Sequence, residues 1–121
     1  MLVELKPITQ IPGEPRRRFF VDKALDLYVW FNKSDSIVGF QLSYDKQGIP
    51  RALTWLKDKG YSLDRIDDGE RHPLQPKATP ILIPDQDGAF NKQAVAASFL
   101  AVSQKLDKAI AAFVLEKVSQ Y

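Results

Sequence analysis

"LDLYVWFNKSDSIVGFQLSYD", residues 25–45, carries the pattern that decides the fold. In its first half Leu25, Leu27, Val29 and Phe31 alternate with other residues. In its second half Val38, Phe40, Leu42 and Tyr44 do the same. Successive side chains of a strand point to opposite faces, so alternation of this length predicts two strands that each bury one face. The four polar residues between them, Asn32 to Asp35, suit a short hairpin loop.

Similar signals extend outward from this hairpin. Downstream, "KQGIP" predicts a turn, "RALTWLK" a strand, "DKG" a second turn and "YSLDRI" another strand. Upstream, "RRRFFV" reads as the preceding strand and "MLVELK" as an edge strand, while "ATPILI" adds a short one. Connections this short favour antiparallel neighbours. The expectation is an antiparallel β-meander sheet of five or six strands.

The composition changes at Asn91. Beyond it there is no Gly or Pro, and Ala is abundant. Val95, Phe99, Val102 and Leu106, then Ile110, Phe113, Val114 and Val118, recur at helical spacing. Asn91 and Asp107 are candidate N-caps. Two helices are expected, over about 92–104 and 107–119, with one long bent helix as the alternative because nothing breaks the run. Sheet first and helices last defines an α+β protein. The whole chain, 1–121, reads as a single domain, with 1–83 mainly sheet and 91–119 helical.

Bulk properties narrow the function. At 121 residues, with 45% apolar and 26% charged side chains, the chain can bury an ordinary core. A net charge of +2 provides no strong field to recruit nucleic acid or anionic lipid. The absence of cysteine removes disulfides, thiolate nucleophiles and thiolate metal sites. The start, "MLVELKPITQ", does not read as a signal peptide, and no stretch is apolar enough to span a membrane. These features lead to the expectation of a cytoplasmic protein without a cofactor.

One charged cluster invites a catalytic reading. "IDDGERHP" places Asp67, Asp68, Glu70 and His72, the sole histidine, within a few residues. Oxygen ligands around a glycine resemble a hard-cation site, and His72 offers a base or a ligand. The spacing matches neither an EF-hand loop nor HExxH. "DG" is also a common turn signal, and Pro73 keeps His72 out of helical conformation. The favoured reading is therefore a charged turn, with a metal-dependent or acid–base enzyme as the alternative. No GxSxG, P-loop or GxGxxG motif is present. Paired-carboxylate chemistry would require Asp22, Asp26, Asp45 or Asp67 to face one another.

The sheet face away from the helices is more informative. On the central hairpin it would carry Asp26, Tyr28, Trp30 and Asn32, then Gly39, Gln41 and Ser43, with Gly39 leaving space beside the aromatic rings. Trp55, Arg51 and one or two of Arg16 to Arg18 are expected to join from neighbouring strands. Aromatics mixed with polar groups characterise contact surfaces. The first reading is a homodimer through Tyr28, Trp30, Gln41, Ser43 and Trp55. The second is a small-molecule ligand site on the same face. Single-stranded nucleic acid ranks lower because the charge is weak. Arg16, Arg17 and Arg18 read as charges guarding an edge strand.

Taken together, "DLYVWF", "GFQLSYDK", "ALTW", "DDGE" and "KATPIL" resemble a group of small uncharacterised bacterial hypothetical proteins with the same order of blocks, over most of residues 16–121. That group carries no established activity. The resemblance implies a bacterial single-domain protein and assigns no site. The functional expectation is a binding or assembly module rather than an enzyme.

Overall fold

The computed structural model describes residues 1–46, 48, 50–67, 81–84 and 90–121. Seven strands form one sheet: β1 (Val3–Leu5), β2 (Arg16–Val21), β3 (Asp26–Phe31), β4 (Ile37–Tyr44), β5 (Arg51–Leu56), β6 (Gly60–Asp67) and β7 (Ile81–Pro84). Their spatial order is their chain order, and every neighbouring pair is antiparallel. The meander is as expected, with one strand more than five or six, because both short outer segments pair. Two helices follow, α1 (Lys92–Val102) and α2 (Lys108–Gln120).

The central hairpin forms as its alternation requires. Leu27, Val29, Phe40 and Leu42 are fully buried on one face. Asn32 builds the loop: its Oδ1 accepts hydrogen bonds from the backbone N–H of Ser34 at 2.9 Å and Ser36 at 3.0 Å. Asp35 takes a φ of 60°, a conformation that Asp tolerates better than most residues.

One detail departs from simple alternation. Trp30 pairs with Gly39, but Phe31 pairs with Ile37, so Val38 is an extra residue in β4. A bulge of this kind turns the side chains on one side of it to the opposite face. Ile37 packs against the core, and Val38 lines a cavity on the other face. The sequence pattern had placed Val38 with Phe40.

The helices cover the apolar face. Val95 and Phe99 from α1, and Ile110, Val114 and Val118 from α2, join Phe20, Leu27, Val29, Phe40, Leu42 and Leu53 in one core. Burying a large aliphatic or aromatic side chain contributes about 1.5–3 kcal/mol, which makes this layer the main source of stability. The two-helix reading holds, and side-chain caps explain the break. Asn91 Oδ1 accepts from Ala94 N–H at 3.0 Å, and Asp107 Oδ1 accepts from Ala109 N–H at 2.9 Å. Asp107 thus starts a second helix where neither Gly nor Pro interrupts the chain.

Candidate functional site

Strand register arranges the face away from the helices in cross-strand rows. One row runs Phe19, Tyr28, Gln41, Thr54 and Ser62 across β2 to β6. The adjacent row runs Arg17, Trp30, Gly39, Leu56 and Gly60. Tyr28, Trp30, Gln41 and Ser43 therefore share a face, as their alternation implied. Phe19 stacks on Tyr28 with centroids 4.2 Å apart, and Tyr28 lies nearly parallel to Trp30 at 6.1 Å.

Arg17 closes one side of this aromatic row. Its guanidinium lies 5.2 Å from the Tyr28 centroid and donates to the Thr9 carbonyl from both Nε and Nη2. Gln10 pairs with the Arg17 backbone in both directions, at 2.9 and 3.0 Å. The segment ahead of β2 is thereby folded against the sheet.

The expected placement of Trp55 is corrected. It alternates with Thr54 and points to the helix side, where it meets Phe113 edge-on at 5.3 Å and Lys117 Nζ at 4.7 Å from its ring. Arg51 has the same parity as Trp55 and pairs with Asp45 at 3.7 Å. Phe19, Thr54, Leu56 and Ser62 had no expected place on the aromatic face, and the register puts them there. "RALTWLK" carries apolar and polar residues at both parities, Ala52 and Leu56 with Thr54 and Leu53 and Trp55 with Arg51, so alternation alone gave little reason to choose between its faces. Only the register with β4 selects Thr54.

Gly39 leaves no empty space. A Cβ there would stand 2.7 Å from Leu56 Cδ2 and 2.9 Å from the Trp55 carbonyl oxygen. Leu56 and Trp30 close over the position, and glycine is required by that approach.

Thr54 and Gln41 are paired across β4 and β5 and are only 7% and 5% exposed. Thr54 Oγ1 and Gln41 Nε2 have no hydrogen-bond partner among the described residues. Leaving a buried polar group unsatisfied costs about 1–3 kcal/mol, so two on neighbouring strands call for an explanation. Beside them lies a cavity of about 320 Å³ lined by Trp30, Val38, Thr54 and Leu56. Glu14 and Pro15 border it from the segment before β2, and Lys57 to Lys59 border it from the β5–β6 turn. The bulge at Val38 and the row of Thr54 build the floor of this cavity.

Three of the candidate carboxylates each face a cation. Asp22 meets the Met1 ammonium at 2.7 Å, Asp26 meets Lys46 at 2.8 Å, and Asp45 faces Arg51. The ammonium's hydrogen bond holds the Asp22 carboxyl below its usual range. A second cavity, of about 540 Å³, lies among these groups and includes Tyr44 and Ser98.

The arginines also have structural partners. Arg18 grips Glu4 with two bonds, at 2.8 and 2.9 Å, and these hold the Glu4 carboxyl below its ordinary value of 4.5. Arg16 meets Asp35 at 2.8 Å. β1 pairs only with Phe19 to Val21, so Arg16 to Arg18 lie beyond it on the outer margin of β2, where Gln10 bonds the Arg17 backbone. Their alternation between faces is as the sequence implied.

In the acidic turn, Asp67 ends β6, while Asp68, Glu70 and His72 lie outside the described residues. Among the described residues no group of three His, Asp or Glu side chains is placed to hold a metal ion. No described helix is long and apolar enough to cross a membrane.

These features define an α+β protein: a seven-stranded antiparallel meander with a helical layer on one face and an aromatic and polar face on the other. Comparison with models of known families, with curated proteins and with solved structures found no match.

Proposed function

We propose that this protein is a binding module that takes a small molecule on the sheet face carrying Tyr28, Trp30, Gln41, Ser43 and Thr54. The observation behind this reading is the buried, unpartnered pair Thr54 Oγ1 and Gln41 Nε2 beside the Trp30 cavity. Sites that bind small molecules combine apolar and aromatic walls with a few placed polar groups, and this face has both. Of the two residues Thr54 lines the cavity, and a ligand that reaches its hydroxyl through a side-chain rotation would recover the free energy its burial costs.

Burial also supports a small ligand over a flat homodimer contact at the same place. Gln41, Ser43 and Thr54 are already buried within one chain, leaving little of them for a second copy to cover. Assembly has separate support at the sheet margin, where Val3 and Leu5 are 59% and 45% exposed. Leu5 pairs with Phe19 and so extends the same face. Light scattering over a range of concentrations tests assembly, and a species that stays monomeric throughout removes it.

The test of ligand binding is a thermal melt against a panel of small molecules. A ligand present at about 100 times its Kd adds roughly 2.7 kcal/mol to the folded state. A rise that disappears in Trp30→Ala supports the reading. A rise unaffected by Trp30→Ala and by Thr54→Val would put the site elsewhere. The enzyme alternative on Asp67, Asp68, Glu70 and His72 has no supporting observation among the described residues.

A further inference from the structure

The Trp30 cavity presents both signs of charge around an aromatic wall. Its floor is Trp30, Val38 and Leu56, with the Thr54 hydroxyl buried and unpartnered among them. Glu14 reaches it from the segment before β2, and Lys57, Asp58 and Lys59 reach it from the β5–β6 turn. β2 and β6 lie on opposite sides of β3, β4 and β5 in the strand order, so Glu14 approaches from one flank and the turn of Lys57, Asp58 and Lys59, with one net positive charge, from the other. None of these four charged side chains forms an ion pair among the described residues.

We infer that the cavity binds a small aromatic zwitterion, a molecule with one flat ring, one ammonium group and one carboxylate, of the size of an aromatic amino acid. This rests on the sheet-face binding reading and names its ligand class. A volume of about 320 Å³ lies at the small end for ligand pockets. An aromatic ring gains offset stacking against Trp30. The ligand carboxylate meets Lys57 and Lys59, and its ammonium meets Glu14. A ligand with only one charge would leave half of this rim unused.

The two tryptophans provide the readout. Trp30 lines the cavity, whereas Trp55 packs against α2 on the other face. Their indole N–H signals, assigned with Trp30→Phe, would be followed by NMR while L-phenylalanine, phenylacetate or phenethylamine is added to the full chain. The expected result is saturable movement of the Trp30 signal with L-phenylalanine while the Trp55 signal stays still. Binding of each singly charged analogue should be weaker by up to about fivefold, the value of one partly exposed ion pair. Lys57→Ala with Lys59→Ala should weaken L-phenylalanine but leave phenethylamine unchanged. Equal binding of a singly charged analogue would overturn the zwitterion inference and leave sheet-face binding standing. No movement of Trp30 with any of the three would overturn this ligand class, and the Thr54→Val melt would then judge the face itself. Movement of Trp55 alone would overturn both.

Discussion

Thr54→Val is the most informative perturbation. Valine has the shape of threonine without the hydroxyl, so packing on β5 is preserved and one polar atom is removed. At an ordinary core threonine this substitution loses a hydrogen bond and destabilises. Here Thr54 is 7% exposed and its Oγ1 has no partner among the described residues. What the substitution removes is an unsatisfied group costing about 1–3 kcal/mol. Even the lower bound, about 1 kcal/mol, is worth about 4 °C in Tm for a chain this long. The expected outcome is therefore a rise in Tm of about 4 °C or more, with an unchanged m-value in urea, because the surface exposed on unfolding is the same. Any ligand that stabilises the wild type by bonding this hydroxyl should stabilise the variant less. A fall in Tm would refute the reasoning, since the hydroxyl must then be hydrogen-bonded in solution. A water bridging Thr54 to Gln41 would produce that fall, and a double-mutant cycle with Gln41→Met would expose the coupling.

Three further outcomes test the frame around the site. Gly39→Ala places a Cβ 2.9 Å from a backbone carbonyl that cannot swing away, so it should destabilise by about 1–3 kcal/mol, read as a lower urea midpoint; a neutral result would mean that β4 and β5 are further apart than described. Asp107→Ala removes the cap that starts α2 and should lower stability by about 1 kcal/mol, with helical signal lost in circular dichroism near the midpoint of the melt. Glu4→Gln tests the Arg18 pair through pH. Because folding lowers the Glu4 pKa, its contribution is present above the ordinary 4.5 and disappears as pH falls through the lowered folded-state value. The variant should be less stable than wild type by about 1 kcal/mol or less near neutral pH, and the gap should close in acid. A gap independent of pH would assign the effect to packing.

Two periodicities in the chain were enough for the architecture. Alternation along residues 25–45 specified the central hairpin, since a strand with one buried face must place apolar side chains two apart. The stripe from Val95 to Val118 specified a helical layer, and Asn91 and Asp107 marked where each helix begins. The composition of the aromatic face was legible for the same reason: once Val29 and Phe40 point inward, Tyr28, Trp30 and Gln41 must point outward.

Tertiary structure decided which side chains meet. Trp55 faces α2 because β5 pairs with β4 in the register that sets Thr54 beside Gln41. In a strand such as "RALTWLK", where both parities mix apolar and polar side chains, that choice depends on a neighbour distant in sequence. The extra residue at Val38 reverses the expected direction of one side chain, and the bulge is visible only in the pairing of β3 with β4. Glu14 and Lys57 to Lys59 border one cavity although more than forty residues separate them in the chain. Local pattern governs which way a segment's side chains point. Which strangers they face is set by long-range register, whose free energy is shared across the whole sheet and is written in no single stretch of sequence.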